Sequence, residues 1–417
     1  MKPQSGQPSD FDVDVLIIGG GFVGGSLAAA LADTPLSVCI VDRADPADAL
    51  KATFDGRAFA ISATNRRMLE GIGLWRDLGP MSAPILDIRV SDGPSLLFLH
   101  YDHKDVGDEP MGQMVENHHL RLALHRRLQN CAGVVSLAPA AVSDLQRGGG
   151  GVAATLADGR RVRARLAVGA DGRGSATRAA AGIKITNWSY GQTGIVCTVK
   201  HERSHDYVAH ERFLPAGPFA ILPLAGDPPE AASRSSIVWT EREELAPALL
   251  ALDDTAFEAE LVRRFGDFMG KVELIGPRWS YPLSLQFARR TTDTRLVLVG
   301  DAAHGMHPIA GQGLNMGLRD AATLAEVLVE THRIGLDIGA ASTLARYERW
   351  RRFDNATMLA ATDALNRLFS NDVAPLRLAR DLGLAAVQQM PPLKRVFMRH
   401  AMGMVGELPR LLRGQPL

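Results

Sequence analysis

Apolar runs along this chain repeatedly end in glycine and an acid. Val13 to Ile18 is an almost unbroken apolar stretch, which predicts a buried strand, and Gly19-Gly20-Gly21-Phe22-Val23-Gly24 follows at once. Small and apolar residues from Ser26 to Leu31 predict a helix, and Leu36 to Val41 predicts a second strand ending at Asp42-Arg43. Leu166-Ala167-Val168 leads into Gly169-Ala170-Asp171-Gly172-Arg173-Gly174-Ser175, where a short helix is expected from Ser175. Leu296 to Val299 ends at Gly300-Asp301 and passes through His304, His307 and Pro308. It then reaches Gly311-Gln312-Gly313-Leu314-Asn315 and a run of good helix formers, Ala321 to Val329.

Between these junctions the period changes to two. Residues 140–170 read as a meander, with a turn at Gly148 to Gly151 and a hairpin signal at Asp158-Gly159. Arg161, Arg163 and Arg165 then alternate with Val162, Ala164 and Leu166 as a half-buried strand. Gly194 to Val199 and Phe219 to Leu224 are further strand-like runs, separated by loops such as Gly226 to Pro229. Thr255 and Glu258 have capping-box spacing before a helix that carries Phe257, Leu261 and Phe265 on one side. From about 343 the pattern is helical, and Leu393, Val396, Phe397, Ala401, Met404, Val405 and Leu408 share one helical face. The expected organisation is a discontinuous α/β unit over 12–75, 105–185 and 291–342. A mostly β unit over 76–104 and 186–290 is inserted in it, and a helical region spans 343–417.

Each junction has chemical content. Glycines 19, 21 and 24 form G-x-G-x-x-G between strand and helix, and Asp42 stands 18 residues later at the end of the next strand. Gly19 makes the tight turn, Gly21 lets a pyrophosphate approach the backbone, and Gly24 lets helix and strand pack closely. Asp42 can accept hydrogen bonds from ribose hydroxyls. Asp171-Gly172 alone would be a turn, with Ser175 as a cap, but it supplies another strand end aimed at one ligand. The junction at 300–315 sets an acid beside free backbone N–H groups at a helix N-terminus, which suits a ligand with hydroxyls and developing negative charge.

Composition narrows the class. Hydrophobic residues make up 46% and charged residues 22%, as in a soluble globular protein, and 417 residues exceed one typical core. A net charge of zero argues against nucleic acid as the main partner. Cys39, Cys131 and Cys197 make no disulfide framework, and Cys39 and Cys197 sit in apolar strand-like runs, as buried thiols in a reducing cytoplasm would. Residues 1–12 lack a signal-peptide pattern. Val15 to Leu31 contains five glycines and is too short for a membrane span. No His/Cys group has metal-ligand spacing, so no metal is expected. The tail from Arg377 has seven basic against two acidic residues. It reads first as a docked helix and second as a basic amphipathic contact with an anionic membrane surface.

Together these junctions resemble the three fingerprints of the para-hydroxybenzoate-hydroxylase-like FAD monooxygenases. His307 to Asp320 is more specific and resembles the signature of the ubiquinone-biosynthesis ring hydroxylases. Asp55-Gly56-Arg57-Ala58-Phe59-Ala60-Ile61-Ser62, Val115-Glu116-Asn117, Glu211-Arg212-Phe213 with Gly217-Pro218, and Ala220 to Leu224 also resemble that family. The resemblance implies a Rossmann-type α/β FAD-binding domain with an inserted, mostly β substrate domain and a helical C-terminus. It implies FAD held by Gly19, Gly21, Phe22, Val23, Gly24, Asp42, Arg43, Arg57, Asp171, Gly300, Asp301, Pro308, Gly311, Gly313, Leu314 and Asn315. Asn117 stands where many more distant relatives carry arginine.

Phe213, Leu222, Pro223, Tyr281 and Pro282 are candidates to line an aromatic pocket, with core packing as the competing role. No acid–base residue is fixed by spacing. The implied activity is hydroxylation of the ring of a polyprenylated phenol or quinol in ubiquinone biosynthesis, through a flavin C4a-hydroperoxide. Dioxygen is the co-substrate, and NAD(P)H or a partner reductase is the electron donor. A quinone-synthesis complex and peripheral contact with the inner face of the cytoplasmic membrane are expected surroundings. Alternatives are a flavin monooxygenase for a soluble phenolic acid and a non-catalytic flavin-binding scaffold. A plain nicotinamide dehydrogenase does not need the Gly300-Asp301 junction.

Overall fold

A computed structural model describes residues 12–51, 54–93, 95, 98–226, 232–307, 309–371 and 374–417. Pro308 and most of the expected loop at Gly226 to Pro229 lie outside them.

The apolar runs become the centre of a parallel sheet. Val13–Ile18 lies between Arg161–Gly169 and Val38–Val41, with Leu296–Leu298 and Val134–Leu137 outside these, all parallel. Helices Phe22–Leu31 and Gln312–Arg333 cover one face, where Val15, Ile17, Ile40, Val168 and Val297 are enclosed. The antiparallel hairpin Val142–Gly148 and Gly151–Leu156 covers the other, over Leu16, Cys39 and Ala164. Both faces are therefore dry, which is why these strands read as continuous apolar runs. Full burial of each large aliphatic side chain contributes about 1.5–3 kcal/mol.

The three cysteines are unpaired and buried, and burial raises the Cys39 and Cys197 thiols to about 11 and about 12.

A second sheet runs His304–Gly305, Val272–Ala288, Ile185–His201, Arg234–Arg242, Gly217–Leu224, Val208–Leu214, Asp87–Asp92 and Phe98–Asp102. Its outer face carries Ile195, Cys197, Phe219, Ile221, Ile237 and Trp239. Helix Asp254–Phe265 packs there through Phe257, Leu261 and Phe265, on the side the sequence predicts. The cap differs from expectation. Asp253, not Thr255, caps this helix by accepting from Ala256 N at 2.8 Å. Glu258 instead accepts from Leu274 N at 3.0 Å, a donor on the adjacent strand. A small sheet of Ala58–Ser62, Gly112–Glu116 and Ser82–Ile85 joins the two layers.

Helices Ala341–Phe369, Ala374–Gln388 and Pro391–Ala401 complete the chain. The single tail face expected from 393 to 408 is broken, since the last helix ends at Ala401. Met398 and Met402 turn inward against Ala63 and Met111, while Val396 and Phe397 are about half exposed.

Candidate cofactor and substrate site

Parallel pairing brings the three junctions together. Ile18 is level with Gly169 and Gly169 with Leu298, so the three strand ends that carry the glycine–acid junctions finish side by side. The chain leaves the first strand in one direction and pairs it on the other side with a strand far along the sequence. That is the switch point at which open α/β sheets bind ligands.

Steric detail fits a pyrophosphate there. Gly19 has φ +106° and lies against Ala170 and Asp171, so a Cβ would overlap their backbone. A Cβ on Gly24 would overlap the carbonyl oxygen of Gly19 and come within 3.0 Å of Ala170 Cβ. Gly21 is different, because nothing lies within 4 Å of where its Cβ would be. It precedes a helix with no side-chain cap, which leaves N–H donors facing open space. Val23 wedges between the first and last junctions, 3.1 Å from a Cβ on Gly300 and 2.5 Å from one on Gly317. Phe22 packs edge-on against Phe59.

Asp42 ends its strand facing Gly20 N and accepts from Ala44 N at 2.7 Å; Arg43 is exposed. Asp171 is bonded to Ser175 Oγ and accepts from Thr177 N at 2.9 Å, so it shapes the turn beside Gly19 as well as the short helix. Asp301 faces the cleft and accepts no hydrogen bond from the described residues. Burial raises its pKa, opposed by His304 and Arg173. Its side chain is nonetheless open to solvent, and a carboxylate there without a donor among the described residues fits an acceptor for ligand hydroxyls.

Gly311 adopts φ +62° at the start of Gln312–Arg333, which also lacks a side-chain cap, and a Cβ on Gly313 would meet nothing within 4 Å. Leu314 packs on the core. The Asn315 side chain is fixed, donating to Ala60 O at 2.8 Å and accepting from Ser62 N at 2.9 Å. Only its backbone remains for a ligand.

Arg57 is paired with Asp55 at 2.7 Å and lies over the Trp279 ring, 4.8 Å from its centroid. Asn117 is buried and donates to the same Asp55 at 2.5 Å. Arg57 thus stands between the cofactor domain and the large sheet.

The predicted pocket residues divide by strand period. Leu222 faces the cofactor domain with Ala58, Ala60 and Met114, whereas Pro223, one residue on, faces the opposite side. Tyr281 lies beside Gly194 on the inner face, and Pro282 again alternates outward. Phe213 is inner but stacks on Phe369 at 4.0 Å, so it is packed into the helical region.

Three roles were not assigned from the sequence. Asp320 is fully enclosed and accepts from Gly300 N at 3.0 Å and from Arg351 Nε at 2.6 Å, with His304 Nε2 at 2.5 Å. Burial alone would raise its carboxyl, but His304 and Arg351 outweigh that and hold the pKa far below the usual range. Trp279 on the inner face carried no local signal, and Glu211 stood in a family-like stretch without a role of its own. Glu116, His118 and His119 also bring potential ligand atoms together, but Glu116 already pairs with Arg234 at 2.8 Å.

A doubly covered parallel sheet with three converging glycine–acid junctions, packed on a large, mostly antiparallel sheet, defines a flavin-binding oxidoreductase scaffold. The chain belongs to the FAD binding domain family, whose profile matches residues 12–360. It is 58% identical to ubiquinone hydroxylase UbiL of Rhodospirillum rubrum, covering 98% of this chain and 94% of that one. It is 32% identical to 3-demethoxyubiquinol 3-hydroxylase of Escherichia coli, over 94% and 98% of the two chains. The crystal structure of p-nitrophenol 4-monooxygenase from Pseudomonas putida DLL-E4 shares the fold, with TM-score 0.78 and 18% identity over 95% and 98%.

Proposed function

We propose that this chain is an FAD-dependent monooxygenase that hydroxylates the ring of a polyprenylated phenol or quinol in ubiquinone biosynthesis. The observation that carries the reading is 58% identity to UbiL over 98% of this chain, on a scaffold whose three junctions converge.

FAD, when bound and reduced, supplies the activation of dioxygen. The protein's part is binding, orientation and dryness. Gly19, Gly21 and Gly24 admit the pyrophosphate to an uncapped helix end, and Asp42 takes the adenosine ribose. The Asp171 turn supports Gly19, and Asp301 accepts from the ribityl hydroxyls. The N–H groups at Gly313 to Asn315, at an uncapped helix start, would stabilise the negative charge that the flavin gains on reduction. Leu222, Val196, Val238 and Trp279 form an apolar wall that receives the ring and excludes water.

Electrons come from NAD(P)H or a partner reductase. No helix among the described residues is long and apolar enough to cross a membrane. Half-exposed Val396 and Phe397 beside exposed Arg395 and Arg399 support peripheral contact with an anionic cytoplasmic membrane surface, from which a prenylated substrate would enter.

The test is to delete the gene and identify the accumulating quinone precursor by mass spectrometry. An unhydroxylated prenylphenol or prenylquinol is expected; an unchanged quinone pool would overturn the reading.

A further inference from the structure

Strand Val208–Leu214 presents alternate residues to the two faces of the large sheet. His210 packs on Phe268, with ring centroids 4.8 Å apart, and Arg212 donates to Phe265 O at 2.8 Å, so both face outward. Ala209 and Phe213 belong to inward clusters. Glu211, between them in period, therefore points to the cofactor domain. It stands level with Ala220 on one neighbouring strand and Val90 on the other. The same row continues through Val238 and Val196 to Trp279, the ring under Arg57. Glu211 is thus a carboxylic acid set into the apolar wall of the cleft.

It has no hydrogen-bond or ion-pair partner among the described residues. Evolved interiors rarely leave a carboxyl in apolar surroundings without one, because the desolvation cost is large. Other charged groups on this side of the sheet are committed elsewhere. Asp92 pairs with Arg380 at 2.7 Å, Glu116 with Arg234 at 2.8 Å, and Asp55 with Arg57 at 2.7 Å. Tyr101, on the strand beyond Val90, adds a neutral phenol, and Ala58, Ala60 and Met114 face the sheet from the cofactor domain. Arg89 and His210 lie on the far side of the sheet.

We infer that Glu211 is the catalytic base of this site, accepting the proton of the substrate's ring hydroxyl. The inference rests on the function proposed above. As the hydroxyl O–H bond breaks, the proton moves to a Glu211 oxygen, and the electron pair stays on the ring oxygen and enriches the ring carbons. The new ring oxygen comes from dioxygen, whose O–O bond breaks with two electrons from the reductant; the carbon-bound hydrogen leaves as a proton that ends in the water formed from the other oxygen atom, and Glu211 returns its own proton to the ring oxygen. Burial alone raises the Glu211 carboxyl to about 7, which places its exchange of a proton in the working range.

The test uses FAD-loaded protein and 2-prenylphenol as probe, with binding followed by the visible absorbance of the flavin. Wild-type affinity and single-turnover hydroxylation should both fall as pH drops through about 7. Glu211→Gln should abolish this acid limb in both and slow turnover by about 10²–10⁴-fold, with FAD content unchanged. Glu211→Asp should keep the limb. A Glu211→Gln protein with the wild-type limb and rate would overturn the inference while leaving the proposed function intact. Wild-type protein that holds FAD but binds no phenol would defeat both.

Should the glutamine variant fail to fold, wild-type holoprotein containing 13C-labelled glutamate answers by infrared difference spectroscopy. One carboxyl deprotonating near neutrality and perturbed by the probe supports the inference; glutamates ionised throughout that range overturn it.

Discussion

Arg351 reaches across 31 residues of sequence to donate to Asp320 at 2.6 Å, and both side chains are enclosed within the protein. The other oxygen of Asp320 holds Gly300 N and His304. The turn that presents Asp301 is therefore suspended from a buried ion cluster, and cofactor geometry is tied to global stability. Asp320→Asn should leave Arg351 with Asp354, at 2.9 Å, as its remaining charged partner and cost about 1.5–3 kcal/mol, read from urea unfolding of the FAD-free protein. A loss below about 1 kcal/mol would show that the cluster supports nothing.

Asp301 behaves in the opposite way, because no described residue donates to it. Asp301→Ala should leave the FAD-free protein as stable as wild type or slightly more so. Removing a charge-assisted acceptor should weaken FAD by about 10–100-fold, measured by titration of flavin fluorescence. Full yellow occupancy after dilution would contradict a role at the ribityl chain.

Two glycines of one motif should fail differently. A Cβ on Gly24 overlaps backbone at Gly19, which cannot swing aside, so Gly24→Ala should destabilise the FAD-free protein by about 1–3 kcal/mol and lose FAD. Gly21→Ala meets no protein atom and should melt like wild type while binding FAD poorly. Equal melting temperatures for the two variants would refute the assignment of separate roles.

Acid should weaken the fold through His307, which burial lowers from 6.5 to about 4. The unfolded chain binds this proton first, so the stability contribution is complete above 6.5 and disappears as pH falls toward 4. The full effect is about 3 kcal/mol. Urea midpoints at several pH values should decline over this window, and His307→Phe should flatten the decline. An unchanged slope in that variant would mean the histidine is not held neutral.

Sequence patterns located the three strand ends that finish side by side because their causes are local. Gly19, Gly21 and Gly24 are dictated by sterics within one turn, and the apolar runs of 13–18, 166–168 and 296–298 by burial on both faces of a sheet. Period two likewise marked the strands, but not which side faces the cofactor. Leu222 and Pro223 were indistinguishable until pairing assigned their faces, and Phe213 was taken up by Phe369 from the C-terminal helices. Capping at 253–258 was a competition between neighbouring side chains that the adjacent strand decided through Leu274 N.

What the amino-acid order determined by itself was the kind of ligand and the three glycine–acid junctions, since tight turns, helix ends and dry strands are encoded within a few residues. Tertiary structure alone decided that Asp320 hangs the flavin turn from Arg351, and that Glu211 is the inward acid of its strand. Both depend on partners far along the chain, or on the absence of any partner, and the energy of a charge is set by what folding places around it.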